Sequence, residues 1–409
     1  MLNAPMNSQT IKSTNPKLSI WVLIAIASIG TLALNIFVPS MPSLVTSLST
    51  TQSMAQLTLT FYLLSLAFAQ LIVGPLSDKY GRRPILLLGI LIYVIASLAC
   101  AFTANVETLI FSRIFQALGG CCGIVITRAI IRDVYSKSEG VVILSYLTAA
   151  ITLAPMLAPI LGAFLDQWAS WRASFYFVAA FGVLIGLIAL KGLYETNFNL
   201  TKSMNFSTIP AQYWSLLKEP EFLGYALAVA FNNSVFFSFI AGAPFIIADV
   251  MHLGPSTYAF YFLLVSGGYM AGNFLAGRFA NRIRTQKMIN IGIIIMLIGI
   301  MAALYGYSIG YSHPIILFGP MGFIALSAGL ISPNAIAGLL NVRPDIAGTA
   351  AGLSGFLQML SGALGTFMVG IFHQQSGFSM VGFMTFFAIL MVISFYGLVD
   401  RKSKKAENA

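Results

Sequence analysis

Twelve apolar stretches of roughly the length that crosses a bilayer decide what this chain can become. They run over 18–40, 54–74, 84–103, 107–130, 141–165, 171–193, 221–248, 256–277, 287–309, 313–336, 347–372 and 377–398. A helix needs about 20 such residues to cross the hydrocarbon. In lipid every backbone N–H and C=O has to be satisfied internally, which leaves helices and closed barrels. A barrel strand alternates apolar and polar residues, and these runs do not. Charged residues are only 8% of the 409, against about a quarter in soluble domains. The expected fold is an all-α membrane protein of twelve transmembrane helices, and a soluble globular domain is excluded. The first run is too long for the core of a signal peptide and ends in Pro39-Ser40-Met41-Pro42 without a small-residue cleavage site, so it is expected to remain as a span.

The net charge of +10 would point to nucleic acid in a soluble protein. In a membrane protein the placement of the cations carries the information. With the N-terminus inside, 20 of the 22 Lys and Arg fall on the cytoplasmic side, Arg172 falls outside and Arg113 lies within a span. A wrong list of spans would rarely produce that split, so both termini are expected in the cytoplasm. A lipid-embedded protein acting as a monomer, without nucleic acid, is the corresponding expectation for partners.

The residues that carry enzyme chemistry are sparse. Cys100, Cys121 and Cys122 sit in apolar runs, and His252, His313 and His373 are isolated in linkers. Neither metal-ligand spacing nor a nucleophile–base set is present, and there is no P-loop. No cofactor, no metal and no enzymatic activity are expected.

The polar segment 194–220 divides the chain into an N-terminal bundle, 18–193, and a C-terminal bundle, 221–398, with tails over 1–17 and 399–409. Gly74-Pro75-Leu76-Ser77-Asp78-Lys79 after span two has a faint echo 203 residues later in Gly277-Arg278-Phe279-Ala280-Asn281-Arg282. Two pseudo-symmetric six-helix bundles of equal orientation form the parallel-repeat layout, with a substrate site at the midplane between them.

Four groups of residues are candidates for function. In the segment after span two, Gly74 and Gly81 permit turns and close approach, while Asp78, Arg82 and Arg83 can pair or bind helix ends. That ordered set exceeds what membrane anchoring requires and is expected to gate. In span five, Pro155, Pro159 and Gly162 share a face at i, i+4 and i+7. Proline bends a helix and glycine admits a neighbour, so span five either seals one side of a cavity or simply packs with a kink. Arg113, with Gln116 on its face, either binds substrate or couples transport, or lies near a span end and snorkels. Asn35, Asn232, Asn233 and Gln358 are uncharged polar groups near mid-span that line a cavity or bond neighbouring helices.

These motifs resemble the major facilitator superfamily. Gly74–Pro84 is similar to its signature between spans two and three. Arg113-Ile114-Phe115-Gln116 is similar to its Arg-x-x-Gln element, and Ala154–Ala163 to the antiporter motif of exporters. Pro333-Asn334-Ala335 with Asp345–Ala350 resembles the Bcr/CflA drug-exporter branch. The resemblance implies a secondary active transporter that exports small organic compounds, drugs first among them, by alternating access and with proton coupling. An exporter of an endogenous metabolite such as a siderophore, or an uptake permease, is the alternative. Members of the branch usually carry an acid on span one, where this chain has Asn35. With no titratable group there and with Arg113 inside a span, a neutral or anionic substrate is expected. If transport is proton-coupled, the proton site is Asp166, Asp249, Glu107, Arg113 acting indirectly, or the substrate itself.

Overall fold

The computed structural model describes residues 19–198, 208–280, 282–372 and 377–400, and within α6 it leaves the side chains of 137–138, 141–142, 145, 148–150 and 152–156 undescribed, as it does those of 208–210 and 400. All regular structure among them is helical: α1 (Ile20–Asn35), α2 (Met41–Ser47), α3 (Gln52–Tyr80), α4 (Arg82–Phe102), α5 (Val106–Val134), α6 (Lys137–Trp168), α7 (Arg172–Gly192), α8 (Thr208–Leu217), α9 (Pro220–Phe245), α10 (Pro255–Phe279), α11 (Thr285–Ser308), α12 (Pro314–Val342), α13 (Ala347–Ile371) and α14 (Phe378–Ser394). Among the described residues, eleven helical segments are long and apolar enough to cross a membrane. The remaining expected span, 141–165, falls within α6. Both expected tails, except for a few residues, and most of 194–207 lie outside the described residues, as do Asn281 and His373.

Local chemistry sets the boundaries. The Thr51 hydroxyl accepts from the Met54 N–H and the Asn105 side-chain oxygen from the Thr108 N–H, which caps α3 and α5. Ser136 and Glu139 form a reciprocal capping box at the start of α6. Three expectations need correction. The segment after span two is not a loop: α3 runs through Gly74 and Pro75 to Tyr80, and only Gly81, at φ +96°, breaks the chain before α4. Gly74 makes no turn, and a Cβ there would meet nothing nearer than 3.9 Å. The first span does not continue to residue 40 as one helix. It ends at Asn35, and a 3-10 turn, Val38–Ser40, carries the chain into α2, with Pro39 and Pro42 at the two helix starts, where a missing N–H costs least. The linker contains α8, whose Leu216 is fully buried and whose Gln212 accepts a 2.9 Å hydrogen bond from Thr349 of α13.

Helix α5 packs against α1, α3 and α4, while α1 also meets α6 and α7. In the second part of the chain α9 packs against α12, α13 and α14, and α12 is flanked by α10 and α11. The two sets meet where α3 lies on α13 and α6 on α10, and where α2 and the Val38–Ser40 turn reach α9 and α10. Glycines set the closest crossings. A Cβ on Gly120 would stand 2.9 Å from the Gly30 Cα, and one on Gly123 would stand 2.2 Å from the Ile26 carbonyl oxygen. A Cβ on Gly162 would stand 1.6 Å from the Ile36 carbonyl oxygen. Lipid tails supply no hydrophobic drive between helices, so this backbone-to-backbone fit supplies much of the attraction.

Gly123→Val is therefore expected to force α5 off α1 and to lower membrane abundance and thermal stability, with an overpacking cost of about 1–3 kcal/mol. Gly74→Ala should be neutral. Fluorescence-detected size exclusion after graded heating checks both.

Candidate functional site

The first polar cluster forms around Arg113 inside the helices of the first part of the chain. Its side chain is fully buried. One guanidinium nitrogen donates to the Ala33 carbonyl at 2.9 Å and to the Gln116 side-chain oxygen at 2.6 Å. Gln116 then donates to Ser97 at 2.8 Å, and Ser97 to the Tyr93 carbonyl at 2.6 Å. The guanidinium carbon lies 4.0 Å from the Tyr62 ring centre and 4.5 Å from that of Phe37, with Phe175 at 5.8 Å. Desolvated contacts of this kind contribute about 2 kcal/mol or more each, which offsets part of the cost of burying a cation with no acid beside it. Nε and the second terminal nitrogen have no hydrogen-bond partner among the described residues. Arg113 neither snorkels to a surface nor opens onto a cavity in this conformation. Asn35 is also buried and turns back to the Thr31 carbonyl of its own helix at 2.8 Å.

The second cluster lies at the other end of these helices. Arg82, with 3% of its side chain exposed, pairs with Asp78 at 2.6 Å and Asp133 at 2.9 Å and donates to Ser77 at 2.6 Å. The Glu195 carboxylate accepts the Arg82 and Arg83 backbone N–H groups at 2.8 and 3.0 Å, capping α4 from the segment that follows α7. Arg83 donates to the Leu190 carbonyl at 3.1 Å. A Cβ on Gly81 would fall 2.5 Å from a Glu195 carboxylate oxygen, and the positive φ there also favours glycine. The described partners of the Arg82 guanidinium all belong to α3 and α5. The cluster thus ties α3, α4, α5 and the end of α7 together.

The remaining predicted residues line seams between helices. Asn233 donates to the Gln358 carbonyl at 2.7 Å and Asn232 to the Ser332 hydroxyl at 3.1 Å. The Gln358 amide turns back to Ser354. Pro155 and Pro159 lie within α6. The Pro155 side chain is outside the described residues, and Pro159 is buried. Gly162 provides the α6–α1 crossing described above.

A polar ladder joins the two parts of the molecule, and it went unread in the sequence. Gln52 donates to Asp249, Ser53 to the Gly370 carbonyl at 2.6 Å and Gln56 to the Ala241 carbonyl at 2.9 Å, and the Thr60 and Thr366 hydroxyls lie 2.8 Å apart. Gln52, Gln56 and Thr60 recur every four positions, and Ser53 falls beside them within about 100° of the same helical face. Their spacing within an apolar run was the available signal. Glu195 had none, because its partners stand 112 and 113 residues away.

Comparison with known proteins identifies the scaffold. Residues 23–366 match the model of the Major Facilitator Superfamily. The chain belongs to this family. It is 30% identical over 388 residues to the MFS-type transporter YdgK of Bacillus subtilis, covering 92% of this chain and 94% of that one. It is 26% identical over 379 residues to the bicyclomycin resistance protein homolog of Haemophilus influenzae, covering 90% and 93%, which agrees with the Bcr/CflA resemblance. A D-xylose–proton symporter shares the fold at a TM-score of 0.72 and 16% identity, covering 92% of this chain and 97% of that one. This superfamily member is a membrane transporter and not an enzyme.

Gln56→Leu should weaken the ladder by about 0.6–1.7 kcal/mol, the range for one hydrogen bond between membrane helices. The expected outcome is faster thiol labelling of a cysteine placed at Thr60 in an otherwise cysteine-free protein. An unchanged labelling rate would show that the ladder does not hold the seam.

Proposed function

We propose that this chain is a secondary active transporter that exports small neutral or anionic organic compounds, drugs among them, by alternating access. The observation that carries this reading is similarity along nearly the whole chain to a drug-resistance relative, joined to the span-five residues Pro155, Pro159 and Gly162 that resemble the exporter motif. In this reading twelve spans form two six-helix bundles, 18–193 and 221–398, joined by 194–220, and the protein works as a monomer in the inner membrane. The Lys/Arg placement supports an assignment of the Arg82 end, and of both termini, to the cytoplasm.

The two bundles rock about the seams α3–α13 and α6–α10, with the cavity between them. The Gln52 ladder closes the outer side. Only contacts that differ between the two states shift their balance. The ladder crosses between bundles and qualifies. The bonds of Arg82 lie within one bundle, so Asp78, Gly81, Arg82 and Arg83 of the motif act as a brace that lets that bundle move as a unit, with Gly74 taking no part. Asn232, Asn233 and Gln358 border the cavity from the second bundle. Arg113, Gln116 and Asn35 tune the first bundle from inside and become accessible only if it repacks. Any proton is carried by an acid other than position 35, with Asp166, bonded to Ser43 at 2.7 Å, placed to report on the α2–α6 contact.

Two measurements test the reading. Expression in an efflux-deficient host should lower susceptibility to a neutral phenicol, and gene deletion should lower the extracellular level of the exported compound; no change in either, at verified membrane abundance, would refute export. An endogenous metabolite missing from the medium with no change in drug susceptibility favours the metabolite exporter. Arg82→Ala should reduce transport at least about tenfold, the effect of losing about 1.4 kcal/mol, while Arg82→Lys should restore part of it. Full transport in both variants would remove the brace from the mechanism.

A further inference from the structure

Arg128 is a cation in the inner third of α5 that none of the clusters above uses. Its side chain is exposed, and among the described residues it has no ion pair, hydrogen bond or ring contact. It precedes the end of α5 at Val134 by six residues, about 9 Å along a helix. The other residues on its side of the helix show what it faces. Ala117 and Cys121, at i−11 and i−7, are fully buried. Ile124 is half-buried, Arg128 is exposed, and Arg132 one turn further on has 70% of its side chain exposed. This side of α5 is therefore covered at mid-span and opens progressively toward the Arg82 end. Phe111 and Phe115, the exposed aromatics of the outer half of α5, lie roughly 100–140° away around the helix. A cation facing hydrocarbon would be costly, which favours water on this side of α5.

We propose that this side of α5 lines a water-filled cleft in which Arg128 is the anion-recognition residue and receives a carboxylate or comparable oxyanion on the transported compound. This rests on the transporter reading above and narrows its substrate class from neutral or anionic to anionic. A guanidinium presents a planar fork of donors that matches such a group in two parallel hydrogen bonds. Arg132, at i+4 and nearer the mouth, adds a second positive charge and lies 3.9 Å from Asp133. Two cations in line along a cleft wall focus the field on an approaching anion. Arg113 does not supply this interaction, since the rings of Phe37 and Tyr62 enclose it.

The test uses the full chain with Cys100, Cys121 and Cys122 replaced by Ala, Ile124→Cys introduced, and reconstitution in phosphatidylcholine. Labelling of the introduced thiol by a water-soluble maleimide is followed in the presence of fusidate, a carboxylate, or its methyl ester. The expected result is that the thiol labels, that fusidate protects it, and that Arg128→Gln raises the fusidate concentration needed by about tenfold, the equivalent of 1.4 kcal/mol. Arg128→Lys should fall between, and the ester should act equally on all three proteins. A thiol at position 124 that fails to label would overturn the proposal, because no aqueous cleft would reach Arg128. Equal protection by acid and ester, or protection that survives Arg128→Gln, would also overturn it. So would loss of fusidate protection on adding phosphatidylglycerol, which would assign Arg128 to lipid headgroups. Protection that depends on Arg128 without any flux of fusidate would retain the site and refute the export reading.

Discussion

Helix α5 lies at backbone distance from its neighbours, and much else in the first part of the molecule follows from that. In lipid, helices gain little by hiding apolar side chains from one another, so attraction depends on how closely backbones approach. Gly119, Gly120 and Gly123 make the approach possible, each meeting backbone of α4 or α1 where a Cβ would collide. The approach has an electrostatic consequence. With α1 drawn onto α5, the Ala33 carbonyl comes within 2.9 Å of Arg113, and Phe37, just past the end of α1, comes to lie against the guanidinium. The cation is held in place by the same crossing that excludes water from it.

That is why Arg113 takes neither of the two positions that its place in a span suggests. An arginine within a span was read as facing a cavity or reaching a surface, because those are the inexpensive places for it. A third solution exists, a cage of rings with two carbonyl-type acceptors. It needs Phe37, Tyr62 and Phe175 from three different parts of the chain to converge. Nothing in the spacing of residues around Arg113 reports that convergence. Arg128, by contrast, is one of the 20 cations that the sequence places on the cytoplasmic side, and its position among them follows from its place near a span end.

The spans were legible because hydropathy is a local property with a fixed length scale. Their ends were less so: a run of apolar residues does not say that α1 stops at Asn35, nor that α3 runs on through Gly74-Pro75 to Tyr80, since a proline within a helix gives up the bond to residue i−4 without having to end the helix. The Arg82 cluster was legible in composition, since Gly81, Arg82 and Asp78 are local, but its direction was not. Its partners Asp133 and Glu195 come from distant parts of the chain, and they decide that Arg82 braces one set of helices instead of bridging two. The Gln52–Thr60 ladder was legible in principle, and α8 was hidden in a segment whose polarity suggested a loop.

The two ends of α3 are held by different chemistry, and the difference suits a moving part. At the Arg82 end the bonds are charged and converge on one buried side chain, so losing both acids would leave the Arg82 cation uncompensated, while Asp78, with 44% of its side chain exposed, keeps part of its hydration. Such a contact is unsuited to breaking in every cycle. At the Gln52 end the bonds running from α3 to α9 and α13 are mostly neutral, about 0.6 kcal/mol each on average between membrane helices. Two of their acceptors are the carbonyls of Gly370 and Ala241, helical backbone groups whose exposure to water carries little penalty. A few such bonds sum to the small free-energy gap over which a two-state transporter can be poised. The strong contacts are kept inside a set of helices, and the weak ones are placed between the sets.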